Sequence, residues 1–196
     1  MTARRVAANI AVTLDGRYHG PGGPADMAPI VPFAVTETAR NHLAQIHEGV
    51  TTAVLSRGNA EGFLGWWSPI ADDESADPRD RGYARWLVDV EKVVLSSTRT
   101  ELPHPNTRVL DAPAADVVVE LKASGTGDIL VNTAPSILKP LLAADLVDRL
   151  FLVVTPVIAG GGARLFEDGL PTTSWSLTSH ATGDLGEQAL VYDRMR

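Results

Sequence analysis

The sequence predicts one α/β domain built on a mixed, mostly parallel central sheet, with helices on its faces and antiparallel strands at its C-terminal end. Three observations carry this. Up to residue 158, short runs rich in Val, Ile and Leu alternate with segments of helical pattern, as strand–helix–strand units do when their strands run parallel. Beyond it, two strand-like runs flank residues 183–186, which begin and end with glycine, and this favours an antiparallel hairpin at the sheet edge. The 196 residues suit a single domain, and no repeat, low-complexity tract or linker divides them, so the expected domain is 1–196.

Taken in order, Val6 to Leu14 reads as the first strand and ends at the turn pair Asp15-Gly16. Gly20-Pro21-Gly22-Gly23-Pro24 reads as a flexible loop over a pocket. Thr36 can cap a helix that runs to about His47, with Glu37 favourable in its first turn and Gly49 as its stop. Val50 to Ser56 is the second strand. Ala60 to Trp67 suggests a short helical turn, Ile70 to Arg81 an acidic surface loop, and Tyr83 to Val88 a helix. Lys92 to Ser96 and Thr107 to Leu110 are short strands, followed by a helix over Pro113 to Lys122. Asp128 to Val131 is a strand, and Thr133 to Ala144 a helix that Pro140 should kink. Asp148 to Ile158 is a long β-branched strand broken by Gly160-Gly161-Gly162. Ser174 to Thr182 and Gln188 to Met195 are the two antiparallel strands.

Composition narrows the function. A net charge of −7 argues against a general nucleic-acid surface, which needs a basic face, although a local basic pocket for one phosphorylated ligand remains compatible. The absence of Cys removes disulfide frameworks and thiolate metal sites. Met1-Thr2-Ala3-Arg4-Arg5 leads straight into the first strand without a signal-peptide pattern, and no apolar run is long enough for a bilayer. The expectation is a cytoplasmic protein with a small-molecule substrate and neither a nucleic-acid nor a membrane partner.

Several chemistries lack their residues. There is no G-x-x-x-x-G-K-[ST] phosphate loop and no G-x-S-x-G elbow. The five histidines form no H-E-x-x-H, and His42 and His47 lie five apart, off a common helical face, so no metal site is expected. Residues 20–25 match G-x-G-x-x-A in letters only, because two prolines remove donors and no helix pattern follows.

Four segments point to one family. Asn9-Ile10-Ala11-Val12-Thr13-Leu14-Asp15-Gly16 is a strand ending in a T-L-D-G turn. Ala53-Val54-Leu55-Ser56-Arg57-Gly58-Asn59-Ala60-Glu61-Gly62-Phe63 puts an Arg directly after a strand. Lys92-Val93-Val94-Leu95-Ser96-Ser97-Thr98 ends a strand in hydroxyls, with Asn106-Thr107-Arg108-Val109-Leu110 after it. Gly127-Asp128-Ile129-Leu130-Val131 opens the longest run, which continues through Leu141-Leu142-Ala143-Ala144, Leu146-Val147-Asp148, Val153 to Pro156, Gly160-Gly161-Gly162 and Arg164-Leu165-Phe166-Glu167.

In order and spacing these resemble the reductase domain of the bacterial riboflavin-pathway deaminase/reductase, the RibD C-terminal type, within the dihydrofolate-reductase-like family. The resemblance spans nearly the whole chain and implies a three-layer α/β/α fold. It implies an NADPH-dependent reductase that delivers a hydride to a C=N or C=O carbon of a small pyrimidine- or pterin-like heterocycle or a ribosyl imine. It also implies a homodimer. The deaminase half, which would need H-x-E and P-C-x-x-C, is absent.

Carried over position by position, the resemblance places the nicotinamide near Thr13 and Asp15, with Asp15 the first candidate proton donor and Asp26 and Glu37 behind it. It assigns the cofactor to Ser56, Arg57, Gly58 and Asn59 at one helix start, to Ser96 and Ser97 on the adenosine side, and to Val131, Asn132, Thr133, Ala134 and Ser136 around the pyrophosphate. A guanidinium forks onto phosphate and a helix start offers free N–H groups, so the chemistry suits the residues. Asp26, Trp67 and Arg164 are the substrate-side candidates, with Trp66, Trp86, Arg99 and Lys139 beyond them. The chain departs from the family pattern at Ser56, Asn59 and Ala60. It departs at Arg149, where relatives carry Glu, and at Asn132-Thr133, where they carry Gly-Gly or Gly-Ser so that backbone can close on the pyrophosphate. Two other readings fit the same residues: the fold retooled for specialised metabolism or for a flavin or deazaflavin, and a non-catalytic dimeric binding module.

Overall fold

A computed structural model describes residues 4–196; Met1 to Ala3, where the sequence reading of the N-terminus begins, lie outside the described residues. Eight strands form one sheet in the order β4-β3-β2-β5-β1-β6-β8-β7. They are β1 (Val6–Thr13), β2 (Val50–Ser56), β3 (Glu91–Leu95), β4 (Thr107–Leu110), β5 (Asp128–Asn132), β6 (Arg149–Thr155), β7 (Ser174–Thr182) and β8 (Gln188–Met195). The first six run parallel, and β8 and β7 add to β6 antiparallel. This is the expected mixed sheet with its hairpin edge.

The helices are α1 (Val31–Ala34), α2 (Glu37–Ile46), α3 (Arg57–Trp67), α4 (Pro78–Asp89), α5 (Ala114–Ala123) and α6 (Pro135–Ala143). Side-chain alternation along the strands sorts them into two layers. Val6, Ala8, Ile10 and Val12 of β1 pack with Val117, Val118 and Leu121 of α5 and Ile137, Leu138 and Leu141 of α6. Ala7, Leu130 and Phe151 point the other way and meet Ile46 and Leu43 of α2, and Leu43 and Trp86 continue that layer into the α3–α4 cluster around Tyr83. The sheet is therefore covered on both faces, as a parallel sheet requires.

Of the boundaries that differ from the sequence reading, three have a clear local reason. The helix expected at Ala60 starts at Arg57, because the Ser56 side chain accepts the Asn59 N–H at 3.3 Å and caps it. The acidic stretch 70–81 is not all loop. A 3₁₀ turn occupies Ser68–Asp72, and Asp77-Pro78 then starts α4, with the Asp77 carboxylate accepting the Arg79 N–H at 2.9 Å and Asp80 in the first turn. β6 stops at Thr155 instead of Ile158, because Pro156 has no N–H for the ladder. Helix α6 is assigned through Pro140, and the carbonyl left without its partner belongs to exposed Ser136.

The chains leaving β1 and β5 turn to opposite faces, toward α2 and α6. These strands are neighbours, so a crevice opens at their C-terminal ends, where open α/β sheets hold ligands.

Candidate active site

Two helix starts meet in that crevice. Helix α6 begins after Ala134 with no side-chain cap, and Pro135 in its first turn has no N–H to satisfy, so the exposed Ser136 amide lies at the helix's positive end. Helix α3 begins at Arg57, and Asn59 in its first turn donates from Nδ2 to the Thr133 carbonyl at 3.0 Å. The two helix starts are thereby joined directly.

Thr133 sits at φ +48°, the left-handed region that favours glycine. Its N–H donates to the Asn9 carbonyl at 2.9 Å, so both ends of its peptide are held by β1 and α3. The turn thus holds a left-handed backbone while carrying a side chain. Asn132 is fully buried and turns its side chain under the sheet, where Nδ2 donates to the Tyr83 hydroxyl and Oδ1 accepts Asn9 Nδ2 at 3.0 Å. Val131 and Ala134 are buried in the α5–α6 core, so only their backbone can face a ligand.

Arg57 is half-exposed and lies 3.6 Å from Glu61, one turn along α3; Arg99 reaches the other Glu61 oxygen at 3.5 Å. The Ser96 hydroxyl accepts the Thr98 and Arg99 N–H groups at 3.2 and 3.0 Å, which fixes the turn that carries Arg99, and Ser97 beside it is exposed. Two guanidiniums thus flank one carboxylate at a helix start. A Cβ added at Gly58 would meet open space.

The segment after β1, read as a flexible loop, is stitched to the turn after β6. Asp15 accepts from the Thr13 hydroxyl at 2.6 Å and from the Ala159 and Gly160 N–H groups at 3.0 Å each. The Leu14 N–H donates to the Val157 carbonyl, Ala163 N–H to His19 Nε2, and Arg17 to the Gly162 carbonyl. Gly161 and Gly162 pack on Pro21 and on the His19 and Gly20 carbonyls so closely that a Cβ would collide there. The Thr13 hydroxyl and then these amides hold the Asp15 carboxyl below the ordinary carboxylate range. In this structure Asp15 ties the turn after β1 to the turn after β6. Thr13 is buried, its hydroxyl held between Asp15 and the Arg17 N–H.

The other substrate-side candidates are dispersed. Asp26 folds back on its own loop and accepts the Gly22 N–H at 3.1 Å. Glu37 pairs with Arg79 at 2.6 Å, which holds its carboxyl low as well. Trp67 packs edge-on against Tyr83 at 4.7 Å, inside an aromatic cluster with Phe63 and Trp86, and Trp66 is exposed beside it. Arg164 is exposed and bridges Arg17 through backbone. Lys139 pairs with Glu167 at 2.6 Å over the Tyr18 ring.

Sequence reasoning gave no role to Asn9, Tyr83 or Glu187. On the α2 face of β1, Ala7 is covered while Asn9 and Ala11 stay partly accessible, so the crevice floor is a window on these two residues. The one available signal was a polar Asn interrupting each of two apolar strands. A cavity of about 330 Å³ near the sheet edge, lined by Leu142, Leu152, Phe166, Trp175 and Tyr192, lies on the opposite face and is apolar. Among the described residues, no cluster of three His, Asp or Glu side chains could hold a metal ion, and no helix is long and apolar enough to cross a membrane.

Comparison with known proteins agrees with this architecture. The chain is similar to the uncharacterised protein YyaP of Bacillus subtilis, 25% identical over 189 residues that cover 96% of this chain and 94% of that one. Its fold is that of a diaminohydroxyphosphoribosylaminopyrimidine deaminase/5-amino-6-(5-phosphoribosylamino)uracil reductase from Thermotoga maritima, with a TM-score of 0.65 and 13% identity over 98% of this chain and 57% of that one. It is equally that of Enterococcus faecalis dihydrofolate reductase, solved with NADP(H), with a TM-score of 0.57 and 16% identity over 98% and 97% of the two chains. Residues 4–188 match the RibD C-terminal domain, and the chain belongs to that reductase-type family.

Proposed function

We propose that the chain is an NADPH-dependent reductase acting on a C=N or C=O carbon of a small flat heterocycle or ribosyl imine. The observation that carries this is the junction of α3 and α6 through Asn59 and Thr133, with Arg57 and Arg99 beside it. The donors fit a dinucleotide: an uncapped helix start for the diphosphate, and two guanidiniums with the Ser96–Ser97 turn for the adenosine end. A bound reduced nicotinamide supplies the hydride, and the protein's part is binding, orientation and electrostatics. The Asn9–Ala11 window is the floor on which a flat ring would lie. Asp15 and Glu37 are held ionised, so this reading takes the proton from solvent reaching that window.

The reading includes a homodimer. Strand β7 offers nine residues of free sheet edge, mostly exposed, with no Lys, Asp, Glu or Pro among them to discourage pairing. Sedimentation of the purified protein tests this, and a monomer at all concentrations would refute it.

Titration with NADPH and NADH, read by quenching of tryptophan fluorescence and energy transfer to the reduced nicotinamide, tests the cofactor. Micromolar binding that favours NADPH is expected. Arg57→Ala should weaken NADPH by about 10-fold or more, the scale of a lost charge-assisted contact, and NADH far less. Equal losses would remove Arg57 from the 2′-phosphate. Binding of neither would end the NADPH reading and bring flavins and deazaflavins forward.

A further inference from the structure

Asn9 and Asn132 are register partners in adjacent parallel strands, and both side chains lie on the α2 face. An amide in the middle of a sheet is tolerated only if its polar atoms are bonded. Both polar atoms of the Asn132 side chain meet that condition. Its Oδ1 accepts Asn9 Nδ2 at 3.0 Å and the Thr133 hydroxyl at 3.3 Å, and its Nδ2 donates to the Tyr83 hydroxyl. Tyr83 is fully buried, with Trp67, Trp86 and His47 rings at 4.7, 5.3 and 5.9 Å, so packing holds its hydroxyl in place. Donation runs inward, from Asn9 to Asn132 to the Tyr83 hydroxyl, so the packed end of the chain orients the rest: Tyr83 sets Asn132, and Asn132 sets Asn9.

Asn9 is left half-buried in the crevice floor with one N–H committed. Its Oδ1 accepts no hydrogen bond among the described residues, and its second N–H is likewise unengaged. A flat ring resting on this floor meets an acceptor and a donor side by side. A ring with an apolar edge there would leave both unpaired, and such a mismatch is penalised far more heavily than a missing methyl group.

We propose that Asn9 is the specificity-determining residue of the crevice, selecting a heterocycle with an amide-like edge, an N–H beside a carbonyl, and that Asn132 and Tyr83 are its positioning residues. The proposal rests on the reductase reading for what happens to the ring, and on the amide relay for which ring enters.

The test is calorimetric titration of the full chain with lumazine, a flat bicyclic ring with N–H groups beside carbonyls, and with 1,3-dimethyllumazine, which lacks those N–H groups. NADPH affinity is measured on the same samples. Wild type should bind lumazine at least about 10-fold more tightly, the scale of one lost hydrogen-bonded contact. Asn9→Ala should erase that preference and leave NADPH affinity unchanged. Tyr83→Phe, which removes only the hydroxyl, should reduce the preference several-fold, also at unchanged NADPH affinity; loss of packing alone would not move that ratio. Equal affinity for the two probes, binding of neither, or a preference that survives Asn9→Ala overturns the proposal. A preference that depends on Asn9 in a protein that does not bind NADPH would remove the cofactor reading and leave this one standing.

Discussion

The Thr36 hydroxyl donates to the carboxylate of Glu187, joining the cap of α2 to the residue before β8 across 151 positions of sequence. Thr36 also accepts the Ala39 N–H at 3.2 Å, so one hydroxyl closes the helix start and anchors the hairpin. Glu187 is fully buried, and its carboxylate lies over Gly183 so closely that a Cβ there would collide with it. Glu187→Ala leaves a cavity and removes the anchor, and should destabilise the fold by about 1–3 kcal/mol. Gly183→Ala alone should cost about as much, by overpacking. In the Glu187→Ala background the Gly183→Ala penalty should nearly vanish. Urea denaturation of the four proteins measures this coupling, and strict additivity would show that the two positions do not meet.

His42 gives the fold an acid sensitivity. It faces inward from α2, edge-on to Phe151 at 5.5 Å, and its Nε2 has no partner among the described residues. Burial pushes its pKa down to about 4. The unfolded chain therefore takes up this proton more readily than the folded one. The contribution is complete above the unfolded value of about 6.5 and falls as pH drops toward 4, by about 3 kcal/mol over that window. His42→Leu should flatten the stability–pH curve between pH 6.5 and 4. A His42 imidazole that titrates near 6.5 by NMR would contradict this.

Asp15 acts with the opposite charge type but the same slope. The Thr13 hydroxyl, then the Ala159 amide, depress its folded pKa. Such a carboxylate stabilises the fold above its unfolded pKa of about 3.9, and the contribution is lost as pH falls through the folded value. Asp15→Asn should be less stable than wild type at pH 7, with the gap closing in strong acid. If Asp15 is a staple, the pH profile of turnover keeps its shape in Asp15→Asn. Loss of one limb of that profile in a folded variant would restore Asp15 as the proton donor.

The strands were legible because their apolar runs are local: β1 to β6 and β8 fall where Val, Ile and Leu cluster, while β7, with one Leu among hydroxyl residues, was read from its place beside the turn at 183–186. Helix starts were less so. Ser56 and Asp77-Pro78 are good caps, but each stands in a stretch whose overall character, a strand end or an acidic run, suggests something else. The site was half legible. The two helix starts and Arg57 came from the family resemblance, whereas the Asn59–Thr133, Asn132–Tyr83 and Thr36–Glu187 bonds join residues 74, 49 and 151 positions apart. Nothing local in Tyr83 separates a core aromatic from one that orients an amide. The partners of Asp15 were hidden for the same reason: the amides that hold its carboxylate come from the turn after β6.

Thr133 tests whether the crevice can do without glycine. A non-glycine residue in the left-handed region costs about 1–2 kcal/mol, and this one recovers part of that through its hydroxyl to Asn132. Thr133→Ala keeps the backbone cost and loses the hydroxyl; Thr133→Gly loses the hydroxyl but removes the strain. The Gly variant should therefore be about 1 kcal/mol more stable than the Ala variant, somewhat less than the full strain because glycine's unfolded state is more mobile. Removing the Cβ should also tighten NADPH, since backbone N–H groups could then approach the diphosphate more closely. Chemical denaturation and NADPH titration of both variants give the two readouts. An Ala variant as stable as the Gly variant would mean the turn relaxes out of the left-handed region, and weaker NADPH binding by Thr133→Gly would mean that the threonine side chain, not the backbone, meets the cofactor.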